Sequence, residues 1–240
     1  MGVASKFING ALVYYDENVT HRIVDAIGPN VVKYVLNAGV DVSESNGQFV
    51  ITLIEAGGGD TTIVAAQTIG DKLLITTDGT EYDGINLQLA GELFKLEAGK
   101  PFYFGVEATS NDATQSDMLI GMCELQTALL ATAAAHAVGV AIEGFFFLKL
   151  DGVTTINAEV YATDVETGQA AVATAMNTSK HWYEWVWDGT TLYAYYDNVL
   201  VGSFTSGLPD AELTPSINYR TGEGNATTLR IHEMRVFEFR

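Results

Sequence analysis

Cleaving a glycosidic bond takes two carboxylates on one face, one as acid and the other as nucleophile or base. Residues two or four apart on a strand share a face. The stretch "HWYEWVWDGTTLYAYYDNVLVGSF" (181–204) sets Glu184 and Asp188 four apart. Asp188 also opens an Asp-Gly turn, and Glu184 reads as a solvent-facing strand residue, so no catalysis is expected of this pair. "EVYATDVE" offers Glu159, Asp164 and Glu166, but Glu159 and Asp164 are five apart and face opposite sides. The Glu-x-Asp-x-x-Glu set is missing. His21, His136, His181 and His232 are far apart, without the close pairing that zinc needs. There is no Gly-x-Ser-x-Gly elbow and no glycine-rich loop ahead of a lysine. "DGTEYDG" gathers Asp78, Glu81 and Asp83, oxygen ligands of the kind calcium takes, without EF-hand spacing; turn-forming Asp-Gly pairs are the simpler account. The expectation is a chain with no catalytic residues, no cofactor and no metal.

Binding is a different matter. Three Trp and four Tyr fall between His181 and Phe204. Aromatic faces beside Asp and Asn acceptors can hold a sugar, which makes Trp187, Asp188, Asp197 and Asn198 the candidate glycan-facing group. Trp and Tyr are equally large core fillers, each burying ~150–250 Å². Most of these rings are expected in the core.

The elements that must position these residues read as strands. Apolar runs end in Gly or Asp, Gly is frequent at 24 and Pro rare at 4. "FINGALVYYD" (7–16) and "HRIVDAI" (21–27) read as two short strands, followed by "VVKYVL". Residues 1–35 are taken as an N-terminal arm or hairpin and 36–240 as the main domain. "FVITLIEA" and "TTIVAAQTI" read as a hairpin around a glycine triplet, and "KLLITT" and "GINLQL" flank "DGTEYDG". Residues 118–142 read as a loop with at most one or two helical turns. "GFFFLKL" and "TINAEVYA" make a hairpin around an Asp-Gly turn. Residues 181–204 make a meander of three strands. In the closing "LRIHEMRVFEFR", alternation puts Ile231, Glu233, Arg235, Phe237 and Phe239 on one face and His232, Met234, Val236 and Glu238 on the other. About a dozen strands without a long amphipathic helix predict an all-β fold, a two-sheet antiparallel β-sandwich.

Composition narrows the partners. The 240 residues carry a formal net charge of −18. Such a chain repels phosphate, so neither nucleic acid nor an anionic membrane is expected as partner. Charges cancel over 1–35 and nearly so over 220–240, leaving the acidic excess in the body between. The lone Cys123 permits no internal disulfide. No signal peptide is read at the N-terminus, and the apolar 118–142 stretch is broken by Glu124, Gln126 and His136, so no membrane span is expected.

Over residues 100–240, "SDMLIGMCELQTALLA", "EGFFFLKLDGVTTINAEV", "WYEWVWDGTTLYAYYDNVLVGSF" and "LPDAELTPSINYRTGEGNATTLRIHEMRVFEFR" resemble the concanavalin A-like, or laminin G-like, sandwiches of tailed-phage virion structural proteins. The shared pattern is a strand ending in a Trp/Tyr–Asp-Gly turn, then a Tyr-Asp-Asn turn, then a Pro-Asp…Leu-Thr-Pro-Ser segment before the final strand. "FINGALVYYDENVTHRIVDAIGPNVVKY" resembles, less specifically, the capsid-contacting leader of the same proteins. The resemblance implies a jelly-roll decoration, or cement, protein on the outer surface of a phage capsid. Such a protein is often a homotrimer bound to the major capsid protein lattice and is made in the host bacterial cytoplasm. The arm residues Phe7, Ile8, Tyr14, Tyr15 and Arg22 are then the expected capsid or inter-subunit contacts, through hydrophobic burial and strand addition. A carbohydrate-binding, lectin-like module is the alternative.

Overall fold

The computed structural model describes residues 3–8, 11–16, 23–27, 31–36, 48–55, 61–65, 73–131, 138–139 and 142–240. Among them every regular element is a strand. Three strands, β1 (Val3–Ile8), β2 (Ala11–Asp16) and β3 (Ile23–Ile27), form an antiparallel sheet of their own in the order β1-β2-β3. The expected single strand over 7–16 is thus two. Ile8 pairs with Ala11 across the dipeptide Asn9-Gly10, the sequence signal of a tight hairpin.

The remaining strands are β4 (Val31–Val35), β5 (Phe49–Ile54), β6 (Thr62–Ala65), β7 (Leu73–Thr76), β8 (Gly84–Leu89), β9 (Phe102–Ser110), β10 (Ser116–Cys123), β11 (Gly144–Lys149), β12 (Ile156–Ala162), β13 (Val165–Ala171), β14 (His181–Trp187), β15 (Leu192–Tyr196), β16 (Val199–Phe204), β17 (Thr214–Thr221) and β18 (Thr228–Phe239). They build two antiparallel sheets. One runs β13-β12-β11-β10-β17-β8-β5; the other runs β16-β15-β14-β9-β18-β7-β6, with β4 also on β18. β18 therefore spans the second sheet, paired with β9 on one side and with β7 and then β4 on the other. Val31–Val35 is laddered to Arg235–Phe239, which joins β4 to the second sheet.

One expected hairpin is absent. β5 pairs with β8 in one sheet and β6 with β7 in the other, so "FVITLIEA" and "TTIVAAQTI" belong to opposite layers. "KLLITT" and "GINLQL" are likewise split between layers. The β11–β12 hairpin and the β14–β15–β16 meander form as the sequence predicts. The 118–142 stretch opens with β10 and continues as an irregular segment whose described part has no helical turn and closes on a Leu130–Val138 bridge; residues 132–137 and 140–141 lie outside the described residues.

Aromatic rings fill the space between the sheets. Phe145 and Phe147 project inward from β11 and meet Trp185 of β14 at ring distances of 5.2 and 5.3 Å. Tyr183 packs on Phe147 at 5.5 Å, and Phe204 of β16 closes on Trp185 at 5.9 Å. The Trp185 indole is fully buried, and its Nε1 has no hydrogen-bond partner among the described residues, so it serves packing alone. Emptying a site of this size costs about 3–5 kcal/mol, from lost burial and the cavity left behind. In denaturant unfolding Trp185→Ala is expected to lose that much, whereas Val199→Ala, at an exposed edge position, stays within about 0.5 kcal/mol of the parent.

Candidate functional site

The aromatic meander presents its Trp and Tyr rings mostly to the core. Tyr183, Trp185, Trp187 and Tyr196 belong to the inter-sheet cluster. Trp187 is nearly buried, and its Nε1 donates to the Glu97 carbonyl at 2.8 Å. Asp188 organises the β14–β15 turn: its Oδ1 accepts from the Thr190 and Thr191 amides, both at 2.8 Å. Asp197 and Asn198 form the β15–β16 turn, both with positive φ (49° and 66°), a conformation Asp and Asn tolerate. Asp197 Oδ1 accepts from the Trp182 amide at 2.8 Å, and His181 Nδ1 donates to Oδ2 at 2.7 Å. Burial works against the Asp197 charge, but these bonds outweigh it and hold the carboxyl below its ordinary value. The four candidate glycan-facing residues thus sit at opposite ends of β15, on the order of 15 Å apart at ~3.4 Å per residue. They do not converge on one site.

The carboxylate pair also separates. Glu184 is not solvent-facing, as its alternation suggested, but 1% exposed. It lies on the outer face of its sheet, where the Tyr103 hydroxyl donates to its Oε1 at 2.6 Å. A second apolar cluster of Tyr103, Val186, Tyr195, Phe237 and Phe239 surrounds it, with Tyr103 stacked on Phe237 at 5.6 Å. The Arg235 guanidinium lies 5.0 Å from the Trp182 ring, and the Lys33 ammonium 5.2 Å from Phe237. The alternation of β18 explains part of this face. A bulge between Ile231 and Glu233 resets the register, so Ile231 turns inward with Met234 and Val236 and leaves Glu233, Arg235, Phe237 and Phe239 outside.

Asp78, Glu81 and Asp83 lie in the turn between β7 and β8. Asp78 Oδ1 accepts from the Thr80 amide at 2.5 Å as a turn lock, and Asp83 is fully buried. Among the described residues no group of three or more His, Cys, Asp or Glu side chains is placed to hold a metal ion. Of the expected arm contacts, Phe7 and Ile8 lie in β1, pairing with Leu12 and Ala11, and Tyr14 and Tyr15 lie in β2, pairing with Ser5 and Ala4. Arg22 falls outside the described residues.

Sequence reading missed a covered polar face. Asn86 and Gln88 of β8, Ser216, Asn218 and Arg220 of β17 and Asp117 of β10 alternate with core residues and so read as solvent-facing, yet each is at most 1% exposed. The segment after β10 lies over them. Gln88 Nε2 donates to the Glu124 carbonyl at 2.8 Å, Asn86 Nδ2 to Gln126 at 2.6 Å and Arg220 Nη1 to Ala131 at 2.5 Å. Arg220 Nε pairs with Asp117 Oδ2 at 2.6 Å, with both side chains fully buried. On the inward face at the end of β11, Lys149 is buried too and donates to the Thr114 and Ser116 carbonyls at 2.7 and 2.5 Å. Beside this polar strip Leu119, Leu129, Leu130, Ile142 and Phe146 form a third apolar cluster.

Both the sheet order and the paired inner faces define a class, the concanavalin A-like β-sandwich, and solved structures agree. The carbohydrate recognition domain of Emp47p superposes with a TM-score of 0.58 at 11% identity, covering 86% of this chain and 96% of that one. The endo-1,3-beta-glucanase of Streptomyces sioyaensis gives 0.58 at 14% identity, covering 90% and 99%. The carbohydrate esterase of the Shiga toxin-encoding bacteriophage phi24B gives 0.51 at 16% identity, covering 87% and 97%. No protein-family model matches the chain, and no curated protein matches it in sequence.

The buried lysine at the end of β11 carries a pH signature. Burial pushes the Lys149 ammonium down from 10.5 to about 8. The folded chain then sheds this proton more readily than the unfolded one, so stability rises with pH between those values. Lys149→Met removes that rise. Between pH 8 and 9.5, unfolding titrations are expected to show the parent gaining about 1–2 kcal/mol relative to the variant.

Proposed function

We propose that this chain is a non-enzymatic structural protein of a tailed-phage particle that decorates and stabilises the head by binding the major capsid protein lattice. It acts as a homotrimer on the outer capsid surface after synthesis in the host bacterial cytoplasm. The observation that carries the reading is the extra β1-β2-β3 sheet, which among the described residues shares no ladder with either sandwich sheet. Its strands are five or six residues long, and edge strands such as β1 and β3 are the elements to which another chain adds a strand. The sequence resemblance supports the same assignment. The fates of Glu184 and Asp188, one tied to Tyr103 and the other to a turn, favour a structural over a hydrolytic role.

A carbohydrate-binding module is the second reading. It is favoured by the fold shared with the Emp47p carbohydrate recognition domain, and its strongest residues here are Asp197 and Asn198 at the β15–β16 turn.

Mass spectrometry of gradient-purified particles, with labelled antibody imaged on them, is expected to find the chain in stoichiometric amounts over the head. Removing residues 1–30 is expected to abolish rebinding to heads stripped of the chain while the far-UV dichroism of the sandwich persists. Undiminished rebinding sinks the role of the N-terminal sheet. Label confined to the tail, or absence from particles together with glycan-array binding, with or without calcium, supports the second reading instead.

A further inference from the structure

β5 (Phe49–Ile54) ends the seven-stranded sheet, with β8 on one side and no strand on the other among the described residues. The phase of its ladder fixes which backbone groups face outward. The Ala90 amide donates to the Gln48 carbonyl at 2.6 Å, and the register sets Phe49 opposite Leu89. Hydrogen-bonded pairs alternate along an antiparallel ladder. Val50, Thr52 and Ile54 therefore bond to β8, while Phe49, Ile51 and Leu53 turn their N–H and C=O groups to the free edge. The far side of β8 agrees. There the Thr221 amide donates to the Asp83 carbonyl at 2.9 Å, which assigns the odd-numbered residues of β8 to β17 and the even-numbered ones to β5.

A free edge is a template for another strand, and proteins blunt it with a charge, a proline, a bulge or a short strand. The other edges of the sandwich are blunted or backed. β6 has four residues and β4 carries Lys33. β13 and β16 close on each other, where Gly168 meets Phe204 and Gly202 meets Ala170. In β5 the sequence "FVITLI" holds no charge, proline or glycine, and its ladder to β8 runs without a register shift. Leu53 is 49% exposed and Val50 39%.

We infer that β5 pairs antiparallel with β5 of a second copy of this chain, about a two-fold axis at Ile51, so that one sheet runs through both copies. The free groups at Phe49, Ile51 and Leu53 are symmetric about Ile51, so the identical strand meets each of them with a hydrogen-bonded pair. Val50 then stands opposite the partner's Thr52, and the exposed Leu53 opposite the partner's Phe49. Charge favours this seam for a self-contact. Two chains of net charge −18 repel each other, and like charges set opposite across a ladder are destabilising. Phe49–Ile54 has no ionisable side chain, so the copies meet here without that penalty. One strand pair is small beside the ~1,200–2,000 Å² of stable complexes, which makes the association reversible. The seam is independent of where the chain sits on a particle and of any contact made by the N-terminal sheet.

Sedimentation velocity of the full chain between about 1 and 500 µM is expected to show the mass doubling with concentration, from monomer to dimer or from trimer to hexamer. Val50→Glu with Thr52→Glu sets glutamates opposite each other across the seam and weakens the doubling at least tenfold. Val50→Lys with Thr52→Glu sets unlike charges opposite each other and returns the association to within threefold of the parent or tighter. Val165→Glu with Val199→Glu adds the same charge at exposed positions away from β5 and leaves the association unchanged. If the first pair fails to fold by circular dichroism, hydrogen exchange on the parent decides the question. The amides of Phe49, Ile51 and Leu53 are expected to exchange at least tenfold more slowly in the concentrated sample than in the dilute one. A mass that never doubles, doubling that both glutamate pairs weaken equally, or doubling without added protection of those amides overturns the inference.

Discussion

Two β-sheets stay face to face only while the ~10 Å between them is filled, and here the filling is aromatic. Trp185 stands between Phe145 and Phe147 of the opposite sheet, with Tyr183, Tyr196 and Phe204 around it. Each of these rings is delivered by strand alternation from β11, β14, β15 or β16. The hairpins are local, but the contact is not: it fixes which face of each strand looks inward and therefore which residues are left for the outside. The outward placement of acids such as Glu184 follows from that division.

The outside faces are then the unusual part. An antiparallel sandwich commonly leaves its outer faces to water. Here both are partly covered, one around Tyr103 and Phe237 and the other around Phe146 and Leu129. Covering a face whose alternate residues are polar means burying Glu184, Arg220 and Asp117. Each is tolerated because a partner is at hand: a tyrosine hydroxyl or an ion pair, with a loop carbonyl also bonded to Arg220. Buried pairs of this kind contribute little net stability, but removing one partner is expensive. Arg220, with Asn86 and Gln88, ties the segment after β10 to the sheet beneath it and makes the cover part of the fold.

This has a consequence for function. A sandwich that binds or cleaves through an open face needs convergent polar groups left available on it. In this chain the meander's acids lock turns, Glu184 is held against Tyr103, and the amides of β8 are bonded to the chain's own main chain. Likeness of fold to sugar-recognising and sugar-cleaving proteins therefore carries architecture rather than chemistry. The separate β1-β2-β3 sheet remains as the place where the molecule departs most from a bare sandwich.

Alternation and turn chemistry, both local, are what the sequence determined. They revealed an all-β chain, the β11–β12 hairpin with its Asp-Gly turn, the β14–β15–β16 meander, the burial of most of its rings and the Asp188 turn. Tertiary structure decided what depends on partners distant in sequence. β5 and β6 are neighbours in the chain yet ladder to β8 and β7 in different sheets, because a run of β-branched residues does not name its partner. Val31–Val35 looks like the end of an arm until β18 supplies its ladder. One extra residue near His232 moves Ile231 to the opposite face, which no alternation count foresees. Glu184 and Asn218 read as solvent-facing because period two marks only two faces; whether the outer one meets water or protein is set by elements that arrive from elsewhere in the chain.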